Sequence, residues 1–111
     1  MRILAEFVRS GGLYTACTVS GHDAAGDGDY SVLCAAVSSA MQLTCNTLTE
    51  CFGVPEDAVT VEANDSAQNH ITVRLQNPDK TRSEILHGLL LHFQLLAEDA
   101  GNRMSVRVRE E

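Results

Sequence analysis

Short apolar runs at Ile3 to Val8 and Leu13 to Val19, rich in β-branched and aromatic residues, flank Ser10-Gly11-Gly12 and predict a β-hairpin. Beyond residue 30 the period changes. Val32, Ala35, Ala36, Ala40, Met41, Leu43, Thr44 and Leu48 recur at helical spacing, with Ser31 as N-cap, Gly53 as the residue past the C-terminus and Pro55 barring continuation. Ala58 to Ala63 and His70 to Leu75 alternate as two strands around the turn "NDSAQN". "NPDK" breaks the chain, and Ser83 to Ala100 resumes a helical period, with Ile85, Leu86, Leu89, Leu90, Phe93 and Leu96 on the inward stripe. Gly101 ends that helix, and "RMSVRVR" alternates as a last strand that rejoins the sheet.

The predicted order is β-β-α-β-β-α-β. Each amphipathic helix has one apolar side to cover, and a five-stranded mixed sheet offers a face for both. The expected fold is an α+β two-layer sandwich, one domain over residues 1–111, with the uncovered sheet face or an edge left as a dimer contact.

Composition narrows the function. A net charge of −7 opposes a sequence-independent grip on nucleic acid, which needs clustered Lys and Arg. Arg103, Arg107 and Arg109 lie close together but precede Glu110 and Glu111, and read as one solvated strand face. No stretch is apolar enough to span a bilayer, and Glu6 interrupts any signal-like start, so no membrane contact and a cytoplasmic location are expected. There the irregularly spaced Cys17, Cys34, Cys45 and Cys51 should stay reduced.

Chemistry concentrates in "SGHDAAGDGDYSVLCAAVSSA", residues 20–40. Cys34 falls in the first turn of the predicted helix, where unpaired N–H groups and the helix dipole favour the thiolate, the attacking form. His22 precedes it by twelve residues, across a loop in which Gly21, Gly26 and Gly28 allow the chain to fold back. An imidazole base beside a thiol, with first-turn N–H groups as an oxyanion hole, would suffice for amide attack. The alternative is a small core cysteine followed by "AAV" and a histidine that caps a turn.

Gly21-His22, the twelve-residue interval, and Cys34-Ala35-Ala36-Val37-Ser38 resemble the ribosomal-processing cysteine proteases of bacteria. The element order is similar to that family's fold over nearly the whole chain, although only residues 21–38 carry a specific match. The resemblance implies removal of a short N-terminal extension from large-subunit ribosomal protein twenty-seven, with no cofactor or metal, by a homodimer. It implies Cys34 as nucleophile and His22 as general base and then acid, supported by Gly21, Ser31 and Ser38. Asp23, Gly26, Gly28 and Tyr30 would belong to the substrate loop, with Tyr30 at the edge of an apolar pocket between loop and helix. Two positions depart from the pattern: Ser31 stands where the family often has aspartate, and the loop glycine comes one place early at Gly28. Asp23, Asp27 and Asp29 favour protonated His22 and suit a basic segment after the cleavage site.

Other groups have simpler readings. Ser38, one turn beyond Cys34, suits a bond to a backbone carbonyl. Cys45 is three turns from Cys34, too far to resolve it, and Cys17 and Cys51 read as small core residues. His87 and His92, five apart, face different sides of their helix, which disfavours a zinc pair. Glu84 near a helix start suits the dipole, and Glu56, Asp57 and Glu62 surround a solvated turn. Two competing functions are a non-catalytic module that binds a ribosomal protein and a redox-sensing thiol protein.

Overall fold

A computed structural model describes residues 3–21, 32–54, 59–64 and 70–111. Strand β1 (Ile3–Ser10) buries Ile3, Ala5 and Phe7 and leaves the residues between them partly exposed. It turns through Gly11 and Gly12, at φ of 58° and 85°, into the antiparallel β2 (Leu13–Gly21). Two successive residues at positive φ are what a tight hairpin requires, and glycine reaches that region without a Cβ clash. Val8 pairs with Ala16 and Arg9 with Tyr14, so Thr15 is an extra residue, and its hydroxyl donates to the Val8 carbonyl at 3.4 Å. This bulge restores the strand's phase. Tyr14 and Cys17 both reach the face of Phe7, Tyr14 edge-on to it with centroids 6.4 Å apart.

Helix α1 (Val32–Asn46) buries Leu33, Val37, Met41 and Thr44, one stripe at helical spacing. It continues through a π-helical turn, Thr47–Cys51, that buries Leu48. Gly53 then reverses the chain at φ 65°, with the Val54 N–H donating to the Leu48 carbonyl at 3.0 Å. After β3 (Val59–Asn64) and β4 (His70–Leu75), helix α2 runs from Lys80 to Ala100 and ends at Gly101, φ 65°. It starts three residues before the expected Ser83, because the Asp79 carboxylate accepts from the Arg82 N–H at 2.8 Å and caps it. Ser83 is instead buried and accepts the Tyr14 N–H at 2.8 Å, joining α2 to the hairpin.

The last strand, β5 (Met104–Glu110), lies parallel to β1, whereas the other pairs are antiparallel. The sheet is therefore mixed, in the order β3-β4-β2-β1-β5. The buried stripes of both helices share one core with Ile3, Ala5, Phe7, Cys17 and Val19, and Phe93 meets Phe7 at 6.0 Å between centroids. The architecture is α+β, two helices with a mixed sheet.

On the uncovered face Glu6 holds Arg107 at 2.6 Å and Arg109 at 3.5 Å, and the Thr18 and Thr72 hydroxyls meet at 3.2 Å. Arg103 departs from the expected strand face, since it sits in the 3-10 turn Gly101–Arg103. Glu84 also departs: it lies beyond the first turn of α2 and pairs with His87 at 3.0 Å, leaving the cap to Asp79. Among the described residues no helix is long and apolar enough to cross a membrane.

Candidate active site

The candidate centre is built where β2 hands the chain to α1. β2 ends at Gly21, φ 93°, paired with Ile3. Cys34 is the third residue of α1 and hence in its first turn, beside N–H groups that have no partner within the helix. Its side chain is half-buried and packs against the core. Gly21 and Ser38 are described, Ser38 half-buried one turn further along α1. His22, Asp23, Gly26, Gly28, Tyr30 and Ser31 lie outside the described residues, and with them the expected loop pocket.

The four thiols differ sharply in environment. Cys17 is fully buried in the core, and burial pushes its thiol far up. Cys45 is half-buried, and its thiol is raised for the same reason. A buried thiolate forfeits its hydration, so burial disfavours the thiolate form of both. Cys51 departs from the core position expected of it: it is exposed at the far end of the helix. The π-turn explains this, because its wider i to i−5 closure leaves the residue three past buried Leu48 short of the core. Cys34 alone combines partial exposure with a helix N-terminus.

Cys34, Ser38 and Cys45 follow one flank of α1, about 60–100° round from the buried stripe at 3.6 residues per turn. The opposite flank faces α2 across a groove of about 580 Å³, lined among others by Ala36, Ala40, Leu43, Ile85, Gly88 and Leu96. Cys34 is not part of that lining, so the groove is a separate feature. Residue chemistry alone had not singled it out. The signal was in the sequence: α1 carries no charged residue over fifteen positions, although four of them are buried. His87 and His92 fall on different flanks of α2, the first stacked on Tyr14 at 5.4 Å and the second lining the groove.

The geometry is a half-buried cysteine in the first turn of a helix of an α+β domain, a position compatible with a thiol nucleophile. The chain matches the model of the cysteine protease Prp family over residues 2–105, and it belongs to that family. It is accordingly a cysteine protease. Its fold is similar to that of SMU.848 from Streptococcus mutans, with a TM-score of 0.81 at 21% identity, covering 99% of this chain and 96% of that one. It is also similar to the ribosomal processing protease Prp from S. aureus, solved with a covalently linked product peptide. There the TM-score is 0.78 at 18% identity, over 96% of this chain and 99% of that one. The same S. aureus protease with a substrate peptide aligns at a TM-score of 0.71, with the same identity and coverage. Sequence comparison with curated proteins finds no significant match.

Proposed function

We propose that this chain is the endopeptidase that removes a short N-terminal extension from large-subunit ribosomal protein twenty-seven, with Cys34 as nucleophile and His22 as its base. The observation that carries the reading is the position of Cys34: third residue of α1, half-buried, in a chain of the Prp family. The S. aureus relative holding a peptide product by a covalent link supports a peptide as the substrate class.

In the proposed reaction the Cys34 sulfur attacks the scissile carbonyl, and the carbonyl electrons move onto oxygen, towards the first-turn N–H groups. The intermediate collapses with expulsion of the amine, which takes the proton carried by His22, leaving a thioester. His22 then takes a proton from water, whose oxygen attacks the thioester, and the Cys34 thiolate leaves. The family resemblance assigns Ser31 the helix cap, Gly21 and Ser38 the support of the centre, and Asp23, Gly26, Gly28 and Tyr30 the substrate loop. The protein acts as a cytoplasmic homodimer without metal or cofactor.

A redox-sensing role loses its support in the thiols themselves. Burial disfavours the thiolate of Cys17 and Cys45, and Cys51 is at the other end of the helix from Cys34.

The test is cleavage of the purified precursor, read by mass spectrometry of its N-terminus. Wild-type protein should release the extension, and Cys34→Ala and His22→Ala should leave the precursor intact while keeping the wild-type circular dichroism. Cleavage by Cys34→Ala at the wild-type rate overturns the assignment of the nucleophile. An intact precursor after prolonged exposure to wild-type protein overturns the substrate.

A further inference from the structure

We infer that the groove between α1 and α2 is an exosite that holds an uncharged, apolar stretch of the peptide substrate, about three residues from the bond that Cys34 cuts. The inference deepens the protease reading above and rests on Cys34 as its nucleophile, but not on which precursor is cleaved.

The first observation is a second stripe on α1. Val32, Ala36, Ser39 and Leu43 fall within about 60° of one another at about 100° per residue, on the side away from the thiol. Val32 is the first residue of the helix, two before Cys34, and it is 87% exposed, while Leu43 is 66% exposed. The stripe thus starts at the thiol end of α1 and runs about 16 Å along the groove, the reach of about five residues of extended chain. Large apolar side chains held in water along one line mark a binding surface. A peptide attacked at Cys34 reaches it. First-turn N–H groups point out of the helix tip, so a scissile carbonyl that accepts from them lies over the tip. The helix is about 10 Å across, and about three further residues carry the peptide over it to Val32.

The lining selects what lies there. It contains no Asp, Glu, Lys or Arg, and α1 has none over its 15 residues, in a chain of which 21% is charged. A charged segment laid in the groove would lose water without gaining a counter-ion, so an uncharged one is favoured.

An extended peptide also brings backbone N–H and C=O groups that need partners. The Thr44 and Thr47 hydroxyls are taken, each donating at 2.8 Å to the carbonyl of the residue four before it. Ser39 and His92 are exposed, line the groove and make no hydrogen bond among the described residues. Their hydroxyl and imidazole are placed to serve the incoming backbone.

Gly88 is the last observation. It sits in the interior of a 21-residue helix, where glycine is the least favourable residue apart from proline. It is not among the glycines at positive φ, and a Cβ built on it meets nothing within 4 Å. No described neighbour therefore requires a glycine there, whereas a bare backbone lets an extended chain lie close against α2.

The test is fluorescence anisotropy of the full chain with two labelled peptides that share glycine-serine flanks. One has a central run of about five leucine and alanine residues, and the other has serine and aspartate in their place. The apolar peptide should bind at least about fivefold tighter, and Leu43→Asp and Gly88→Gln should each remove most of that preference. Ser105→Arg, on the uncovered sheet face, should leave it unchanged. Far-UV circular dichroism should be unaltered throughout, because Leu43 is exposed and the side chain added at Gly88 enters open space. Equal binding of the two peptides, or a preference that either groove substitution leaves intact, overturns the exosite. So does a groove substitution that lowers the sedimenting mass with the preference intact, which gives the face to a second copy of the chain. A preference lost in the groove variants, beside a precursor that wild-type protein leaves uncut, supports the exosite and strikes only the substrate proposed above.

Discussion

Replacing Cys17 should change how stability depends on pH more than it changes stability itself. Its side chain is fully buried, and burial raises its thiol well above the ordinary range. In the unfolded chain the same thiol titrates near ~8.5. The sign follows from proton numbers: above that pH the unfolded state releases the proton while the folded state keeps it, so stability falls as pH rises. The full contribution is present below pH ~8.5, and each further unit removes about 1.4 kcal/mol, or about 2.7 kcal/mol by pH 10.5. Cys45, half-buried and also raised, adds to the slope in the same direction. Urea unfolding of wild type and Cys17→Ala, with reductant present and protomer concentration fixed, measures the effect from pH 7.5 to 10.5. The alanine protein is expected to be less stable at pH 7.5, since it leaves a small void, but to close the gap on wild type by about 2–3 kcal/mol at the alkaline end. Lysines and tyrosines titrate in both proteins and cancel in the difference. A gap that stays constant across the range would refute the reasoning, because Cys17 would then ionise as readily in the core as in the unfolded chain.

Three further substitutions probe how the helices are fixed. Asp79→Ala removes the cap that accepts the Arg82 N–H and should cost about 1 kcal/mol, a fall of roughly 5 °C in the melting temperature. Ser83→Ala leaves the Tyr14 N–H without its buried acceptor, and urea unfolding should register a loss of about 1–3 kcal/mol. Gly53→Ala forces a Cβ into the left-handed region at φ 65°, and calorimetry should show a loss of about 1–2 kcal/mol although the added carbon meets no neighbour.

Local chemistry made some of these elements legible and left others hidden. Gly11-Gly12 between two β-rich runs is a hairpin in any context, because only glycine takes both positive φ angles cheaply. The bulge at Thr15 is not legible, since it depends on which residue of the partner strand lies opposite. The start of α2 was misplaced because Asn77-Pro78-Asp79 has the composition of a turn, whereas Asp79 uses the turn to cap the helix. Cys51 was read inward as a small apolar residue, and the segment that carries it widens to a π-turn that leaves it exposed. Cys34 was placed well, since its distance from the helix start is local in sequence. The groove needed a different question: not which residues are reactive, but why a helix with so small a buried stripe carries no charge.

The direction in which Cys34 points is decided by residues that never approach a substrate. Leu33, Val37, Met41, Thr44 and Leu48 form the stripe that sets the rotation of α1 and its extension on the sheet. A phase shift of one residue turns a helix by about 100° and would carry Cys34 away from its flank while bringing Val37 and Met41 out towards solvent. Each large apolar side chain exposed costs about 1.5–3 kcal/mol, so Val37 and Met41 together oppose the shift by roughly 3–6 kcal/mol, a large share of the stability of a domain. The thiol flank and the uncharged flank are therefore held at a fixed angle to each other on one rigid element. The groove lining does not include Cys34, so the two flanks of α1 are separate surfaces.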